Sequence, residues 1–426
     1  MINNTFQFDP SSLLLAAPEI FLLSAIVIVL LLDLFLTKSF KQVSYYLTQI
    51  SLFITAILSY NLIGQPETII FGNSFILDDI GSILKVFMLA AAMIAMVYSR
   101  HYLRQHQLFR GEYFVLILLS ILGMMVMVSG YSLLTLYLGL EILSLSLYTL
   151  IAIARNRANA IEAALKYFVL GAIASGMLLY GMSMIYGISA SLNISEIATF
   201  ANNTILASRE ALVLNFGLVF LVIGIAFKLG AVPFHMWVPD VYHGAPSSVT
   251  MFISTVPKIA IVAMLVRLLI DGLGIMQPYW ADLFTVLAVL SIALGSIVAL
   301  LQTNIKRMLA YSTISHIGFV LLGFVSGTAG YGAAVFYILA YILMSLAAFG
   351  VIILLNKKGF EADKISDYKG LGSQHPWFAL LMLIIMLSMA GVPPFVGFYA
   401  KFFILKQLIE ANMLSLAIIA VVFAVI

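Results

Sequence analysis

Residues Ala211–Gly244 read ALVLNFGLVFLVIGIAFKLGAVPFHMWVPDVYHG, and this apolar stretch is too long for one straight crossing of a membrane. As a continuous helix it would run roughly 51 Å, whereas the hydrocarbon core of a bilayer is about 30 Å thick. Its middle reads Gly230-Ala231-Val232-Pro233-Phe234. Proline lacks the backbone N–H and clashes with the preceding turn, so we expect an interrupted helix here.

A second long segment has the same design. Phe378–Ile409 would run roughly 48 Å as a helix, and its middle reads Ala390-Gly391-Val392-Pro393-Pro394-Phe395. A related pair of interrupted helices in two halves of a chain indicates a transporter repeat with a site near the membrane midplane. Two ordinary proline kinks are the alternative, but a lysine accompanies each break, Lys228 and Lys401, and this favours the repeat.

The composition places the whole chain in a membrane. Of its 426 residues, 63% are hydrophobic and 9% are charged, whereas a soluble domain carries about 25% charged residues. This excludes soluble, disordered and fibrous proteins. Cysteine is absent, which excludes disulfides, thiolate metal sites and cysteine-ligated iron–sulfur clusters. The net charge of +3 does not indicate a nucleic-acid partner.

Apolar runs of helical length predict an all-α, polytopic membrane helix bundle, because each crossing needs about 20 apolar residues. The thirteen predicted spans are Leu13–Leu36, Val43–Ile63, Ile76–Tyr98, Tyr113–Ser129, Tyr131–Ala154, Ile161–Tyr186, Ala211–Gly244, Ser247–Ile270, Tyr279–Leu300, Lys306–Val325, Tyr331–Leu355, Phe378–Ile409 and Ala411 onward. The last span is still apolar at Ile426.

Basic residues alternate between the loops. Thirteen of the 21 Lys and Arg residues lie in every second loop, and three lie in the loops between them. By the positive-inside rule the thirteen mark the cytoplasmic side of the membrane and place the N-terminus outside. The thirteen are Lys38, Lys41, Arg100, Arg104, Arg110, Arg155, Arg157, Lys306, Arg307, Lys357, Lys358, Lys364 and Lys369; the three are Arg209, Arg267 and Lys406.

Another group of ionisable residues falls at membrane depth. Each Lys or Asp at a helix centre costs about 2.5–3.5 kcal/mol to insert, so such residues usually face a protein interior and mark a pathway. We therefore predict a transporter-like interior. The residues are Lys85, Lys166, Lys228, Lys258, Lys401, Glu141, His235 and His316.

Glu141 belongs to a polar stripe. Tyr137, Glu141, Ser144 and Tyr148 follow the spacing of one helix face. A low-dielectric environment favours a neutral amine and a nearby carboxylate favours the ammonium, so moving Glu141 relative to Lys228 would switch a proton on and off the lysine. A permanently protonated, structural Glu141 is the alternative.

Three of the other groups have serious alternative interpretations. Lys166 follows Glu162 by one helical turn, so a local ion pair competes with a carrier role. Lys85 lies near Asp78 and Asp79 and is interpreted as part of a structural pair. His316 is a lone histidine, and such residues more often pack than relay protons.

The remaining two candidates stand beside prolines. Lys258 follows Pro257 on a helix whose earlier hydroxyl residues can hold ordered water, and His235 follows Pro233 by two residues and could face the first break. The chain has no P-loop, dinucleotide-binding glycine pattern or Cys/His metal spacing. We interpret Lys357–Lys369 as a solvated cytoplasmic connection that could contact anionic lipid or a partner subunit.

The longer motifs resemble the antiporter-like membrane subunits of respiratory complex I. They are GLEILSLSLY at 139–148, ALKYFVLG at 164–171, FKLGAVPFHMWVPDVY at 227–242 and NIKRMLAYS at 304–312, together with Lys258 and Lys401. The resemblance covers nearly the whole chain.

Membership of this family implies about fourteen helices and two inverted five-helix repeats, each with a broken helix. The implied division is residues 1–112 for three N-terminal helices, 113–270 for the first repeat and 271–426 for a second repeat that we expect to be truncated. It also implies that Glu141 and Lys228 form the charge-switching pair, that Lys258 links the halves, and that Lys401 is the second carrier. Lys166 matches another lysine important for activity.

The resemblance further implies a proton-translocating subunit of NADH:quinone oxidoreductase with no redox centre of its own. NADH, FMN, iron–sulfur clusters and quinone would then belong to other membrane and peripheral subunits of the complex. A subunit of a multi-subunit sodium/proton antiporter or of a membrane-bound hydrogenase is the alternative. A structural scaffold with merely paired lysines is a third.

Overall fold

The computed structural model describes residues 12–35, 42–204, 208–357 and 361–425. The predictions for the N-terminal tail, Lys38, Lys41 and Lys358 concern residues outside these ranges.

The described part is almost entirely helical, with one two-stranded antiparallel hairpin. The strands are β1 (Thr68–Ile70) and β2 (Phe75–Leu77), with Ile69 opposite Ile76. The helices are α1 (Ser12–Leu15), α2 (Ala17–Phe35), α3 (Gln42–Tyr60), α4 (Asp79–Gln105), α5 (Gly111–Ser129), α6 (Leu133–Ile151), α7 (Ala158–Ser189), α8 (Ile194–Asn203), α9 (Arg209–Leu229), α10 (Trp237–Gly244), α11 (Ser247–Leu265), α12 (Gln277–Leu300), α13 (Ile305–Val325), α14 (Thr328–Leu355), α15 (Leu371–Gln374), α16 (Pro376–Ala390), α17 (Val396–Glu410) and α18 (Leu414–Val425).

The predicted membrane bundle is confirmed. Within the described ranges, eleven helical segments are long and apolar enough to cross a membrane. The predicted span Phe378–Ile409 forms α16 and α17, and the last span forms α18. One start was wrong: Ile76 and its neighbours form strand β2, and α4 begins only at Asp79. Asp78 accepts a hydrogen bond from the backbone N–H of Gly81 and caps that start.

Both predicted breaks are present and share one local design. Helix α9 ends before Gly230 at φ 82°, and α16 ends before Gly391 at φ 89°. Glycine suits this left-handed conformation because it has no Cβ; at Gly230 a Cβ would lie 2.6 Å from the Val238 side chain. The backbone N–H of Val232, freed by the break, donates to the Ser291 hydroxyl at 2.9 Å. In a membrane, such interruptions persist only where protein satisfies the backbone.

Helix α11 forms the centre of the bundle. Every one of its residues is buried, and it packs against α4, α5, α6, α9, α10 and α14. Lys258 lies on this helix with 1% of its surface exposed. A cation at such a place needs polar partners from neighbouring helices, because an unpaired buried charge is strongly destabilising.

The loop assignment of several basic residues was wrong. Arg209 begins α9, Lys406 lies inside α17, and Arg267 lies in a buried π-helical segment, Val266–Gly272, that continues α11. Lys306 is the second residue of α13 and is also buried. A basic residue near the end of an apolar run indicates that a membrane span ends there. The local sequence does not show whether other helices bury that residue.

Candidate functional site

The first helix break holds the ammonium group of Lys258. Its Nζ donates to the main-chain oxygen of Leu229 at 2.5 Å and approaches that of Lys228 at 3.5 Å. These carbonyls lie at the C-terminal end of α9, where the interruption leaves helical carbonyls without N–H partners. The partial negative charge of a helix C-terminus favours a cation there. The break therefore creates the binding place for the lysine of α11.

Lys228, in the last turn of α9, contacts the predicted polar stripe of α6. Its Nζ donates to the hydroxyl of Ser144 at 2.8 Å. Ser144 is one turn after Glu141 on the same face of α6, so the Lys228 ammonium contacts the helix face that carries the Glu141 carboxylate. Within the described residues, no carboxylate–lysine pair involving Glu141 closes to 4 Å. The hydroxyl thus holds the lysine one turn from the predicted switching partner.

An aromatic wall closes this region. The Nζ of Lys258 lies 5.5 Å from the centroid of the Trp237 ring, and Tyr167 stacks on that ring at 4.6 Å. The Trp237 indole N–H donates to the oxygen of Phe227 at 2.8 Å, so α10 is fastened to the end of α9. A gap of about 10 Å³ lined by Ser144, Lys228, Trp237 and Lys258 remains, roughly the volume that one water needs.

The second break has a lysine on its carbonyls as well. Lys401 Nζ donates to the oxygen of Ala390, the last residue of α16, at 2.8 Å. It also lies 5.4 Å from the centroid of the Phe319 ring. A cavity of about 330 Å³ adjoins Lys401 and His316 and is lined further by Ser296, Ser312 and Ser315. Its volume is sufficient for several waters.

Hydroxyl groups of α13 and α14 lie between the two breaks. The Tyr341 hydroxyl donates to the oxygen of Ser254 on α11 at 3.3 Å and shares a hydrogen bond of 2.8 Å with Thr313. One turn beyond Thr313, the His316 Nδ1 is 2.7 Å from the Tyr337 hydroxyl. A line of polar groups therefore leads from the helix that carries Lys258 toward the cavity beside Lys401.

Lys166 lies on an exposed helix face and has two carboxylate partners. Its Nζ is 2.9 Å from Glu162, the partner considered from sequence, and 2.9 Å from Asp240 on α10. The other Asp240 oxygen accepts from Arg307 of α13 at 3.0 Å. Asp240 thereby connects α7, α10 and α13.

Two predicted residues lie outside these contacts. His235 is half-buried in the turn before α10, and among the described residues no hydrogen bond joins its ring to Lys228 or Lys258. Lys85 forms an ion pair, as predicted, but the predicted partners were wrong. Its Nζ contacts Glu19 of α2 at 2.5 Å. Asp78 instead pairs with Arg267 at 2.7 Å.

Sequence reasoning missed Asp240, Trp237 and Tyr341. Asp240 offered a signal, since it is an acidic residue inside the apolar segment Ala211–Gly244. Arg307 was used only to orient the chain, although it follows the capping residue Asn304 by one turn. The tyrosines of α14 offered no signal, because aromatic residues on a buried helix are usually packing residues.

Within the described ranges, no group of three or more His, Asp or Glu side chains is arranged to hold a metal ion. At the two breaks, the amines of Lys228, Lys258 and Lys401 instead contact a hydroxyl or carbonyls at helix ends. Such groups can hold and pass protons through short hydrogen-bonded steps.

Comparison with known proteins assigns the family. The family model described as "NADH:quinone oxidoreductase/Mrp antiporter, TM" matches residues 130–426. A protein of Ruthia magnifica named NADH-quinone oxidoreductase subunit N is 76% identical over 98% of this chain and 86% of its own length. The chain belongs to the NADH-quinone oxidoreductase subunit N family.

More distant relatives agree with this assignment. Subunit N of Thioalkalivibrio sulfidiphilus is 52% identical over 96% of this chain and 85% of its own length. A chain in the structure of respiratory complex I from Thermus thermophilus with bound aureothin superposes with a TM-score of 0.80, at 30% identity, covering 96% of this chain and 86% of that one. The predicted family is confirmed, and the antiporter or hydrogenase alternative is not favoured.

Proposed function

We propose that this chain moves protons across the bacterial inner membrane as part of a respiratory NADH-quinone oxidoreductase. Glu141, Lys228, Lys258 and Lys401 carry the protons, and His316 relays them in the second half. Lys166 acts with Asp240 at the end of the first half. The division of the chain into residues 1–112, 113–270 and 271–426 stays a prediction.

One observation carries this proposal: each helix break presents main-chain oxygens to a lysine, which is buried at the first break and half-buried at the second. Lys258 contacts Leu229 at the first break and Lys401 contacts Ala390 at the second. A carbonyl accepts a hydrogen bond from both the ammonium and the neutral amine, so neither form of the lysine is left without a partner. A purely structural lysine would be expected to pair with a carboxylate, as Lys85 does with Glu19.

The switching step follows from the contacts of Lys228. In the described arrangement the ammonium is held by the neutral hydroxyl of Ser144, one turn from Glu141. A movement of α6 along α9 that brings Glu141 to the lysine stabilises the charged amine, and the reverse movement favours release of its proton. The proton released from Lys228 then passes through the small gap to Lys258.

The chain itself carries no redox centre in this proposal. NADH, FMN, iron–sulfur clusters and quinone belong to other membrane and peripheral subunits, which supply the energy for each stroke. The alternation of basic residues supports an orientation with the N-terminus outside and with Arg157, Lys306 and Arg307 toward the cytoplasm. Lipid surrounds the exposed apolar faces of the outer helices.

The test is proton uptake driven by NADH in vesicles that contain the whole complex. We expect Lys228→Ala and Glu141→Ala to reduce uptake while the amount of assembled complex stays constant. Lys406→Ala is the matched control, because Lys406 is exposed on α17 and, among the described residues, its one ion pair is with the exposed Glu410 at 3.7 Å. Native uptake in both Lys228→Ala and Lys401→Ala would instead support a structural scaffold.

A further inference from the structure

A polar cavity opens at the end of the molecule where α7 begins and α10 ends. Its volume is about 270 Å³, and its polar lining consists of Arg157, Asn159, His243, Glu361 and Asp363. This is enough space for several water molecules with polar partners. The cavity lies outside the line of buried lysines, and the proposed function does not use it.

The charged groups at the rim form a dense network. Glu361 accepts hydrogen bonds from Arg157, from the Tyr102 hydroxyl at 3.1 Å and from Lys306 at 3.4 Å. Lys306 also contacts Asp363 at 3.0 Å. Arg157, which lines the cavity, and Lys306, which is buried beside it, are therefore each in contact with at least one carboxylate.

Asp363 has a free acceptor in this network. Its Oδ1 is buried and has no hydrogen-bond partner among the described residues. Burial raises the pKa of Asp363 above its usual value, although Lys306 opposes the effect. By contrast Lys306 and Arg157 together overcome the effect of burial and hold the pKa of Glu361 below its usual value. One carboxyl can thus bind a proton while the other maintains the network.

His243 connects the cavity with the partner of Lys166. It is half-buried, lines the cavity, and follows Asp240 by three residues on α10, so both side chains lie on one helix face. The charged groups that act on it come from two clusters: Lys306 and Asp363 at the cavity, and Arg307 and Asp240 beside Lys166. Within the described ranges, His243 is the one histidine that lines this cavity and the one histidine on α10.

We propose that this cavity collects protons and that His243 passes them to Asp240. The inference rests on the proposed function, because Lys166 and the buried lysines are the destination. A hydronium ion or a buffer acid in the cavity gives a proton to one ring nitrogen, and the other ring nitrogen releases its proton to a carboxylate oxygen of Asp240. The imidazole returns to its neutral form, in the other tautomer.

The arrival of this proton changes the contacts of Lys166. Neutral Asp240 no longer attracts the ammonium of Lys166 at 2.9 Å or the guanidinium of Arg307 at 3.0 Å with a full charge. Lys166 then keeps only Glu162, a partner on its own helix. Loading of Asp240 is thereby coupled to the separation of α7 from α10.

The experiment uses vesicles with the whole complex and compares His243→Ala, His243→Gln and Asn159→Ala. We expect both histidine variants to lower NADH-driven proton uptake several-fold, most strongly at alkaline pH where free protons are scarce. Added imidazole should enter the cavity and restore uptake in His243→Ala. Asn159→Ala is the matched control, because Asn159 lines the same cavity but has no titratable group.

Two results would overturn the inference: native uptake by His243→Ala at every pH, or a loss that is equal at every pH and unaffected by imidazole. Lys228→Ala in the same vesicles separates this outcome from failure of the proposed function. If Lys228→Ala stops uptake and His243→Ala does not, only the role of the cavity is wrong. If neither variant has an effect and Lys401→Ala also keeps native uptake, the proposed function is wrong as well.

Discussion

Lys258 and Leu229 are joined across the first helix break by a hydrogen bond of 2.5 Å from the lysine Nζ to the main-chain oxygen. The two residues lie on different helices, and neither would contact the other if α9 continued through Gly230. The residue four positions after Leu229 is Pro233, which has no N–H, so the Leu229 oxygen has no helical donor of its own. The interruption therefore exposes an acceptor at the depth where the buried lysine needs one.

The first prediction concerns this contact. Lys258→Met keeps most of the side-chain volume but removes the donor, so the carbonyls at the end of α9 lose their charged partner. A hydrogen bond to a charged group contributes about 1.5–3 kcal/mol, and we expect proton uptake by the complex to fall by about tenfold or more. Lys406→Met is the control for a generic loss of lysine. Uptake by Lys258→Met equal to that of the control would contradict the role of Lys258.

A second prediction concerns the hydroxyl that holds Lys228. Ser144→Ala removes the acceptor at 2.8 Å, and we expect uptake to fall by about fivefold to tenfold, which corresponds to about 1–1.4 kcal/mol. Ser144→Thr retains a hydroxyl and should retain most activity. Ser146→Ala is the matched control, because Ser146 is buried on the same helix but donates to its own backbone at the oxygen of Ile142. Equal effects of Ser144→Ala and Ser146→Ala would count against this role.

Asp240 gives a third prediction. Asp240→Asn weakens the links from α10 to Lys166 and Arg307, and both partners are partly exposed, so each link contributes only about 0.2–1 kcal/mol. Combined with Lys166→Met in a double-mutant cycle on proton uptake, Asp240→Asn should show non-additivity of several-fold. Glu162→Gln, at the more exposed partner of Lys166, should couple more weakly. Additive effects of Asp240→Asn and Lys166→Met would show that the two residues act independently.

The network around Glu361 predicts a dependence on pH. Because its folded-state pKa is lowered by Lys306 and Arg157, Glu361 stabilises the fold above the ordinary glutamate value, about 4.3, and this contribution is lost as the pH falls through the lowered value. Hydrogen exchange of residues 361–368, corrected for intrinsic rates, should therefore accelerate in acid. Glu361→Gln should exchange faster already at neutral pH and lose this part of the pH dependence.

The control for the Glu361 experiment is Asp367→Asn. It alters an exposed carboxylate in the same segment, which accepts a hydrogen bond from the main-chain N–H of Lys364. We expect it to change exchange only near its own turn. Exchange of residues 361–364 that is equally fast in the native protein and in Glu361→Gln would mean that the network does not hold this segment.

The same network corrects the interpretation of a solvated connection for residues 361–363, whereas residues 364–367 and Lys369 are exposed as that interpretation expects. Ala362 is buried, and its N–H donates to the side-chain oxygen of Asn356 at 2.8 Å. The main-chain oxygen of Asp363 accepts from the N–H of Ile305 at 2.7 Å. The segment packs against the start of α13, with Asn304 opposite Lys364. From sequence, the charged residues of this segment predicted exposure to solvent. The basic residues that pair with Glu361 and Asp363, Arg157 and Lys306, lie in distant parts of the chain and could not be assigned as partners.

Sequence alone determined the membrane class, the helical character of the predicted spans, of which eleven are long enough to cross a membrane in the described ranges, and both helix breaks, because hydropathy, proline and glycine act on the chain locally. The tertiary structure decided the partners. In it Lys228 contacts Ser144, 84 positions away, and Lys166 contacts Asp240, 74 positions away. Lys85 forms its ion pair with Glu19 and not with Asp78 or Asp79, which are closer in sequence. Contacts of this kind depend on which helix faces meet, and that choice is made by packing of the whole bundle around α11.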